Sequence, residues 1–399
     1  MKSIVSIYLV LCYILVVFGC KNKETNNLYE HKTKSTTLDS FDGPYIYTKT
    51  EDSLEVISVE ERKNSEFYVK KKVVKRIQKQ KFISKVNNKE NDSFTFSLMN
   101  KYLVPNAMYE PQEKIFITSD IEGNFNTFYS LLIGNKIMDK DYNWTFGNGH
   151  LVIAGDMMDR GTEVLPCLWL LYKLEQEAKL KNGQVHFVLG NHDVMNLQLN
   201  LKYVQSKYLE LAKIISKPKT NQKIAYKNLM SDANELVKWI KSKNTIEKIG
   251  DNLILHGGIS EDMIDTGLSI EEINEHVRNN IRENFDKKSK NNEYVNLIFG
   301  RMGPLWYRGL VKDYKQHYTK LDSNSLEHIL KFYKVNHIII GHTIIDKEIT
   351  SDFNGKVIRV AIKHPKEKFS SRSQALLIEK GNYFKVNDLG KKIKLDFTK

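Results

Sequence analysis

From Lys114 onward, short apolar runs alternate with stretches of helical spacing. The runs are Ile115-Phe116-Ile117-Thr118, Leu151-Val152-Ile153-Ala154, Val185-His186-Phe187-Val188-Leu189, Leu253-Ile254-Leu255 and Ile338-Ile339-Ile340. Such runs carry almost no polar face, which predicts strands covered on both sides. Helices are expected at about 125–136 and 163–181, and this alternation predicts an α/β sheet with helices on its faces. Upstream, Tyr45 and Tyr47, Leu54 and Val56, then Phe94, Phe96 and Leu98 repeat with the two-residue period of half-buried strands beyond a turn at Gly43-Pro44. Residues 42–108 therefore read as a β-rich extension, either an accessory sheet or edge strands of the main body. Residues 200–244 predict an inserted helical pair interrupted at Pro218, with Leu229, Ala233, Leu236 and Ile240 on one face of its second member. That insertion is either a packed surface hairpin or a cap shaping access to a site. A further helix is expected near 269–284, and 375–378 and 383–386 read as closing strands.

The first twenty residues have a different pattern. Lys2 precedes an apolar stretch, Ile4 to Val17, broken only by Ser6, which predicts a secretion signal over 1–19. The ending Val17-Phe18-Gly19-Cys20 resembles a bacterial lipobox, so the expected mature protein is an exported lipoprotein. It would be anchored through lipidated Cys20 at the periplasmic face or cell surface, with an uncleaved N-terminal helix as the competing reading. Residues 20–41 are polar and aperiodic and read as a flexible linker. Of three cysteines, Cys12 falls in the signal and Cys20 at the anchor. Cys167 is left alone among Leu165, Leu168, Trp169 and Leu171, where a packing role is expected.

The formal charge of +13 creates a field that attracts anions. The 61 basic residues are interspersed with 48 acidic ones and form no basic, aromatic-laced stripe, so no nucleic-acid partner is expected.

Each apolar run ends in polar residues and glycine. Asp120-Ile121-Glu122-Gly123-Asn124 follows the first, Gly155-Asp156-Met157-Met158-Asp159-Arg160-Gly161 the second, and Gly190-Asn191-His192-Asp193 the third. His256-Gly257-Gly258 and Gly341-His342-Thr343 follow the other two. In open α/β sheets the loops at the carboxyl ends of the strands converge on the ligand. A pair of divalent metals about 3.5–4 Å apart needs a bridging carboxylate with mixed oxygen and nitrogen ligands, and activates water while neutralising phosphate. Asp120, Asp156, Asn191, His256 and His342 supply that set. The remaining histidines lack paired ligand spacing and are expected at the surface or as satisfied core residues, with His150 and His337 the first candidates among them for a place beside functional groups.

Asp159-Arg160-Gly161, Asn191-His192-Asp193-Val194-Met195-Asn196-Leu197 and Gly303-Pro304-Leu305-Trp306-Tyr307-Arg308-Gly309 resemble a phosphoprotein phosphatase-like branch of the calcineurin-like metallophosphoesterases. They are most similar to the bacterial Shewanella-like phosphatases, over about 114–390. The resemblance implies a four-layer αββα sandwich at 109–399, carrying the helical cap insertion and preceded by the β-rich extension. It implies Asp120 and His342 on one metal, Asn191 and His256 on the other, and Asp156 bridging. It also implies His192 as general acid held by Asp159, with Arg160, Asn191 and Arg308 on the phosphate and Arg301 as the competitor of Arg308. Where the family pattern has histidine this chain has Glu122, still able to ligate but favouring harder ions, and Asp193 stands where glutamate is common. The implied cofactor is two divalent ions, manganese first, with iron, magnesium or zinc as alternatives. The implied reaction is hydrolysis of phosphate monoesters by metal-activated water, with a phosphorylated protein as one substrate class and small phosphate esters or nucleotides as the alternative. A catalytically degenerate phospho-ligand-binding surface lipoprotein is the reading from another class.

Overall fold

The computed structural model describes residues 28–34, 38, 40–61, 66–217, 219–283, 293–344 and 347–397. The expected signal at 1–19, its lipidated Cys20 and the break at Pro218 lie outside the described residues. Among the described residues, no helix is long and apolar enough to cross a membrane.

Strands β1 (Leu28–Lys34), β2 (Phe41–Thr50), β3 (Ser53–Glu61) and β4 (Glu66–Lys75) form an antiparallel sheet in the order β1-β4-β3-β2. Part of the expected linker is therefore structured, since β1 pairs with β4 over Leu28↔Lys70 to Lys34↔Glu66. Gly43-Pro44, expected to turn the chain, instead lies inside β2 where its register with β3 shifts. β5 (Lys81–Lys85) and β6 (Ser93–Ser97) make a separate hairpin. Phe96 stacks on Trp169 at a ring distance of 4.2 Å, so the hairpin shares the main core although it joins neither central sheet.

Next come β7 (Met108–Tyr109), β8 (Lys114–Thr118), α1 (Phe125–Gly134), β9 (His150–Ala154), α2 (Val164–Lys179), β10 (Gln184–Val188) and α3 (Asn191–Leu197). They are followed by α4 (Ser206–Ile215), α5 (Gln222–Leu229), α6 (Glu235–Lys241), β11 (Ile246–Ile249) and β12 (Asn252–Leu255). The remainder is α7 (Glu261–Asp265), α8 (Ile270–Asn280), α9 (Glu293–Ile298), α10 (Ser323–Tyr333), β13 (His337–Ile340), β14 (Thr350–Asp352), β15 (Val357–Arg359), β16 (Gln374–Glu379), β17 (Asn382–Asn387) and β18 (Lys392–Lys394).

Two six-stranded mixed sheets result, β10-β9-β8-β16-β17-β18 and β14-β15-β13-β12-β11-β7. Side chains alternate across a strand, and here both directions lead into core. Ile115, Ile117, Val152 and Ala154 meet Ile254, Ile339 and Ile358 between the sheets, whereas Phe116, Leu151, Ile153, Leu253 and Leu255 face the outer core with the helices. This two-sided burial is why the runs lack a polar face, and it gives the sandwich its helix–sheet–sheet–helix layering.

His150 and His337 stand at the opening ends of β9 and β13, away from the strand ends that carry the motifs. His150 Nδ1 meets His186 Nε2 at 2.8 Å, and His186 in turn reaches Glu247 on β11, a buried polar link between the sheets. His337 Nδ1 donates to the Gly355 carbonyl at 2.9 Å. Both rings are satisfied by these partners, and neither neighbours the strand ends that carry the motifs.

The insertion forms three helices, not two. Asn234 caps α6 by accepting the Leu236 N–H, so Leu229 and Ala233 fall outside the helix that carries Leu236 and Ile240. Its helices pack against the N-terminal sheet: Tyr47 donates to the Leu229 carbonyl at 3.1 Å and the Thr48 N–H to the Ala233 carbonyl at 2.8 Å. Buried Lys207 of α4 pairs with Asp42 at 2.9 Å and Glu163 at 3.3 Å, tying the N-terminal sheet, the insertion and the residue that precedes α2 together. Cys167 is fully buried on α2, where burial pushes its thiol well up, consistent with packing.

Candidate metal centre

Asp120 lies two residues beyond β8, Asp156 two beyond β9, Asn191 at the start of α3, His256 directly after β12 and His342 two beyond β13. Leaving a strand so abruptly demands unusual backbone. Asp120, Glu122, Asp156, Asp159, Arg160 and His342 all hold positive φ between 48° and 73°, a conformation that costs non-glycine residues energy and clusters at functional sites. Glycine is required where backbone passes closest. A Cβ on Gly155 would stand 2.3 Å from His256 Nδ1, and one on Gly190 2.1 Å from Asp156 Oδ1.

The loop after β9 is held by a carboxylate. Asp193 accepts the N–H groups of Gly190, Asp156, Met157 and Met158 at 2.9–3.1 Å. Sequence reading gave this position little weight, yet it shapes the loop that presents Asp156 and Asp159.

Two groups of potential ligands converge, each with donor atoms within 4.8 Å of one another: Asp156, His256 and His342, and Glu122, Asp156 and His192. His256 donates Nδ1–H to the Ala154 carbonyl at 2.8 Å, which aims Nε2 at Asp156 Oδ2, 2.9 Å away, and Asn191 Oδ1, 3.0 Å away. A lone-pair nitrogen facing two oxygens is repulsive unless a proton or a cation lies among them. Burial opposes the imidazolium, but Asp156 holds His256 up to about 9. Among the described residues, His342 Nε2 is buried with no hydrogen-bond partner. Asp120 borders these groups, with one oxygen taken by Ser119 Oγ and by the His342 N–H at 3.1 Å. Burial and Asp120 push Glu122 up to about 7 against the pull of Arg160. Crowded carboxylates, an orphaned imidazole nitrogen and oxygen ligands in the majority fit divalent cations.

Glu122 gives a prediction for metal-free protein. A carboxyl whose folded pKa lies above its unfolded value binds more protons when folded, so its contribution favours folding below pH 4.5 and is lost as pH rises to about 7. Glu122→Gln is therefore expected to match wild type near pH 4.5 and exceed it at pH 8, by on the order of 3 kcal/mol, the opposing pull of Arg160 being already contained in the raised pKa. Chemical denaturation in chelator reads this, and parity at pH 8 would refute it.

His192 Nδ1 contacts Asp159 Oδ2 at 2.7 Å. Burial lowers the imidazole's pKa, but Asp156 and the Asp159 hydrogen bond outweigh burial and hold it above the usual histidine range. Asn196, one helical turn after His192, donates to Asp159 Oδ1 at 2.7 Å and accepts from Tyr226 of α5. The chain Tyr226–Asn196–Asp159–His192 is buried throughout. Asn196 was legible, because the i,i+4 spacing puts it on the face of His192; Tyr226, from the insertion, was not.

Arg160 is latched. Its Nη1 pairs with Glu122 Oε1 at 2.5 Å, its Nη2 is 3.1 Å from His192 Nε2, and its guanidinium lies 5.5 Å over the Tyr203 ring. Arginine can only donate, so in this arrangement Nε2 carries the lone pair and the ring proton is on Nδ1. Arg308 donates to the His342 carbonyl at 3.2 Å and Thr343 Oγ1 at 3.1 Å, inside the cluster. Its competitor Arg301 lies against His317 on the exposed side. His364, set aside in the sequence, reaches the site wall with Nε2 3.2 Å from the Ser119 carbonyl.

A cluster of carboxylates and imidazoles at the carboxyl ends of five strands in two stacked sheets defines a metallophosphoesterase. The chain belongs to the calcineurin-like phosphoesterase family, matched over residues 113–346, and is a phosphoric ester hydrolase. Among solved structures it is similar to a cold-active protein-tyrosine phosphatase of a psychrophilic Shewanella species, with a TM-score of 0.74 and 31% identity, over 90% of this chain and 100% of that one. That coverage exceeds what 114–390 can supply, so the likeness extends into the N-terminal β-rich region. It is 28% identical over 297 residues to Shewanella-like protein phosphatase 2 of Arabidopsis thaliana, 64% of this chain and 72% of the relative. A symmetrical bis(5'-nucleosyl)-tetraphosphatase of Colwellia psychrerythraea matches at 28% identity over 34% of this chain and 38% of its own. The family implies a dinuclear divalent metal site.

Proposed function

We propose that the protein is a metal-dependent phosphomonoesterase acting on phosphorylated proteins. The observation that carries this reading is the His192–Asp159 pair at 2.7 Å beside the Asp156, His256 and His342 cluster. Two divalent cations, when bound, supply polarisation of the phosphate and an acidified water. Asp120, Glu122, Asp156, Asn191, His256 and His342 are assigned to hold them, with manganese the first candidate.

In this reading His192 donates a proton from Nε2 to the leaving oxygen, and Asp159 fixes its orientation through Nδ1. Nε2 must carry a proton for that step, so Arg160 first leaves Nε2 and Glu122 and turns to the phosphate, where its planar fork binds two oxygens. Arg308 and Asn191 hold the remaining phosphate oxygens. The likeness to a protein-tyrosine phosphatase over 90% of this chain favours a protein substrate, whereas the nucleotide-hydrolase likeness covers only about a third of the chain.

The test is para-nitrophenyl phosphate hydrolysis by the full chain with manganese, magnesium or zinc against chelator. Turnover restored by one of these metals is expected, and inactivity with all three would leave the degenerate binding protein as the better reading. We also propose export and lipid anchoring at Cys20, on the sequence of residues 1–20; Cys20→Ser should move the protein out of the membrane fraction, and unchanged fractionation would sink the anchor.

A further inference from the structure

We propose that the β5–β6 loop and the loop at 363–366 form a cationic subsite for acidic side chains flanking the phosphorylated residue of a protein substrate. This rests on the phosphatase reading above. A groove of about 500 Å³ extends from Asp120 and Arg160, bounded on one side by Asn87, Asn88 and Lys89 and on the other by Lys363, His364 and Lys366. Its volume is that of sites taking ligands larger than a single ester group.

Lys89, Lys363 and Lys366 are exposed, and among the described residues none of them meets a carboxylate. Nearby cations are already paired: Lys368 with Glu90 at 3.4 Å and with Asp92, and Arg372 with Glu367 at 3.3 Å. Three free ammonium groups along a groove that begins at a phosphate-binding arginine favour a ligand with negative charge beyond the phosphate itself.

The N-terminal wall is a fixed part of the site. The Asn87 N–H donates to Glu163 Oε2 at 3.0 Å, Asn87 Nδ2 to the Phe41 carbonyl at 2.6 Å, and Asn88 Nδ2 to Asn126 Oδ1 at 2.9 Å. Glu163 is anchored in turn by buried Lys207. A wall fixed in this way holds Lys89 near its working position before substrate arrives, which lowers the cost of ordering it on binding.

The groove also separates two anionic ligands. Its lining holds one phenyl ring and no tyrosine or tryptophan, and that ring, Phe125, is 1% exposed. The one other ring in the lining is the partly buried His364 imidazole, held with Nε2 3.2 Å from the Ser119 carbonyl, so the groove offers no broad aromatic platform for stacking a base. Ile121, Ile344 and Ile362 instead give it apolar surface suited to peptide side chains.

The test compares wild type with the combined variant Lys89→Glu, Lys363→Glu, Lys366→Glu on a glutamate-flanked phosphotyrosine peptide, the same peptide with alanine flanks, and para-nitrophenyl phosphate. For the variant, kcat/KM on the acidic peptide should fall about tenfold, mainly through KM, as expected for three rim charges. The other two substrates should change by less than about twofold, and salt should erode the wild-type preference. Equal effects on both peptides, or a loss on para-nitrophenyl phosphate as large as that on the acidic peptide, would overturn the proposal. If wild type turns over none of the substrates, the phosphatase reading fails separately. Fluorescence anisotropy of the two labelled peptides on the full chain then decides the subsite: acidic preference abolished by the variant supports it, and parity between peptides overturns it.

Discussion

Asp156→Asn is expected to cut kcat/KM for phosphate esters by on the order of 10³-fold or more, about 4 kcal/mol of transition-state stabilisation. Asp156 is the residue common to both ligand groups. Its Oδ2 stands 2.9 Å from His256 Nε2 and its Oδ1 accepts the His192 N–H at 2.9 Å. Asparagine has nearly the same shape, but its amide offers one acceptor where the carboxylate offers two and carries no charge to bridge two cations. Bound metal, measured by elemental analysis after gel filtration, should fall together with turnover. Circular dichroism should still report a folded chain, because the loop is held by Asp193, which the substitution leaves in place. Turnover near wild type with full metal content would remove Asp156 from the bridging position.

The strand ends that deliver Asp156 and its companions were legible because they are local. An apolar run must be a strand with both faces covered, and its carboxyl end must be where the polar residues gather, so the candidates that converge there could be named from their order along the chain. What could not be read is where separate segments meet. Tyr226 lies thirty residues beyond Asn196, on a helix whose pattern shows an apolar face and nothing of what its hydroxyl touches. The insertion had two readings, surface hairpin or cap, and the structure gives it another task. It packs on the N-terminal sheet and sends Tyr226 and Tyr208 to the back of the catalytic loops, Tyr208 accepting the Val164 N–H at 2.8 Å. The break between α5 and α6 was also missed, because apolar spacing continues across it and only the capping Asn234 marks it.

The N-terminal region shows the same limit. Period-two spacing established strands at 42–108 but could not say that Asn87 and Asn88 would hydrogen-bond to loops of the catalytic body. The structural likeness over 90% of this chain carries the same message, since the relative includes this region too. Glu122 is the converse case. It was conspicuous in the sequence as a departure, yet the sequence could not show that it pairs with Arg160. In the proposed reading Glu122 would help to hold a metal ion, and Arg160, paired with it here, would then be available to the phosphate.

Replacing His192 by alanine should lower turnover of esters with poor leaving groups by about 10²–10⁴-fold, the range of a lost general acid. The loss should be markedly smaller on para-nitrophenyl phosphate, whose leaving group departs without needing a proton. Asp159 and Asp156 hold His192 above the ordinary histidine pKa, so it can carry that proton near neutrality once Arg160 has moved from Nε2. Tyr226→Phe tests the support behind it. The ring still fills its buried site, but Asn196 Oδ1 loses its donor, and a buried acceptor left unsatisfied costs about 1–3 kcal/mol. If that cost reaches Asp159 and His192, kcat on the poor leaving group should drop about threefold to tenfold with KM unchanged. A loss of equal size on both esters in His192→Ala would assign the imidazole to holding phosphate or metal and not to protonating the leaving oxygen.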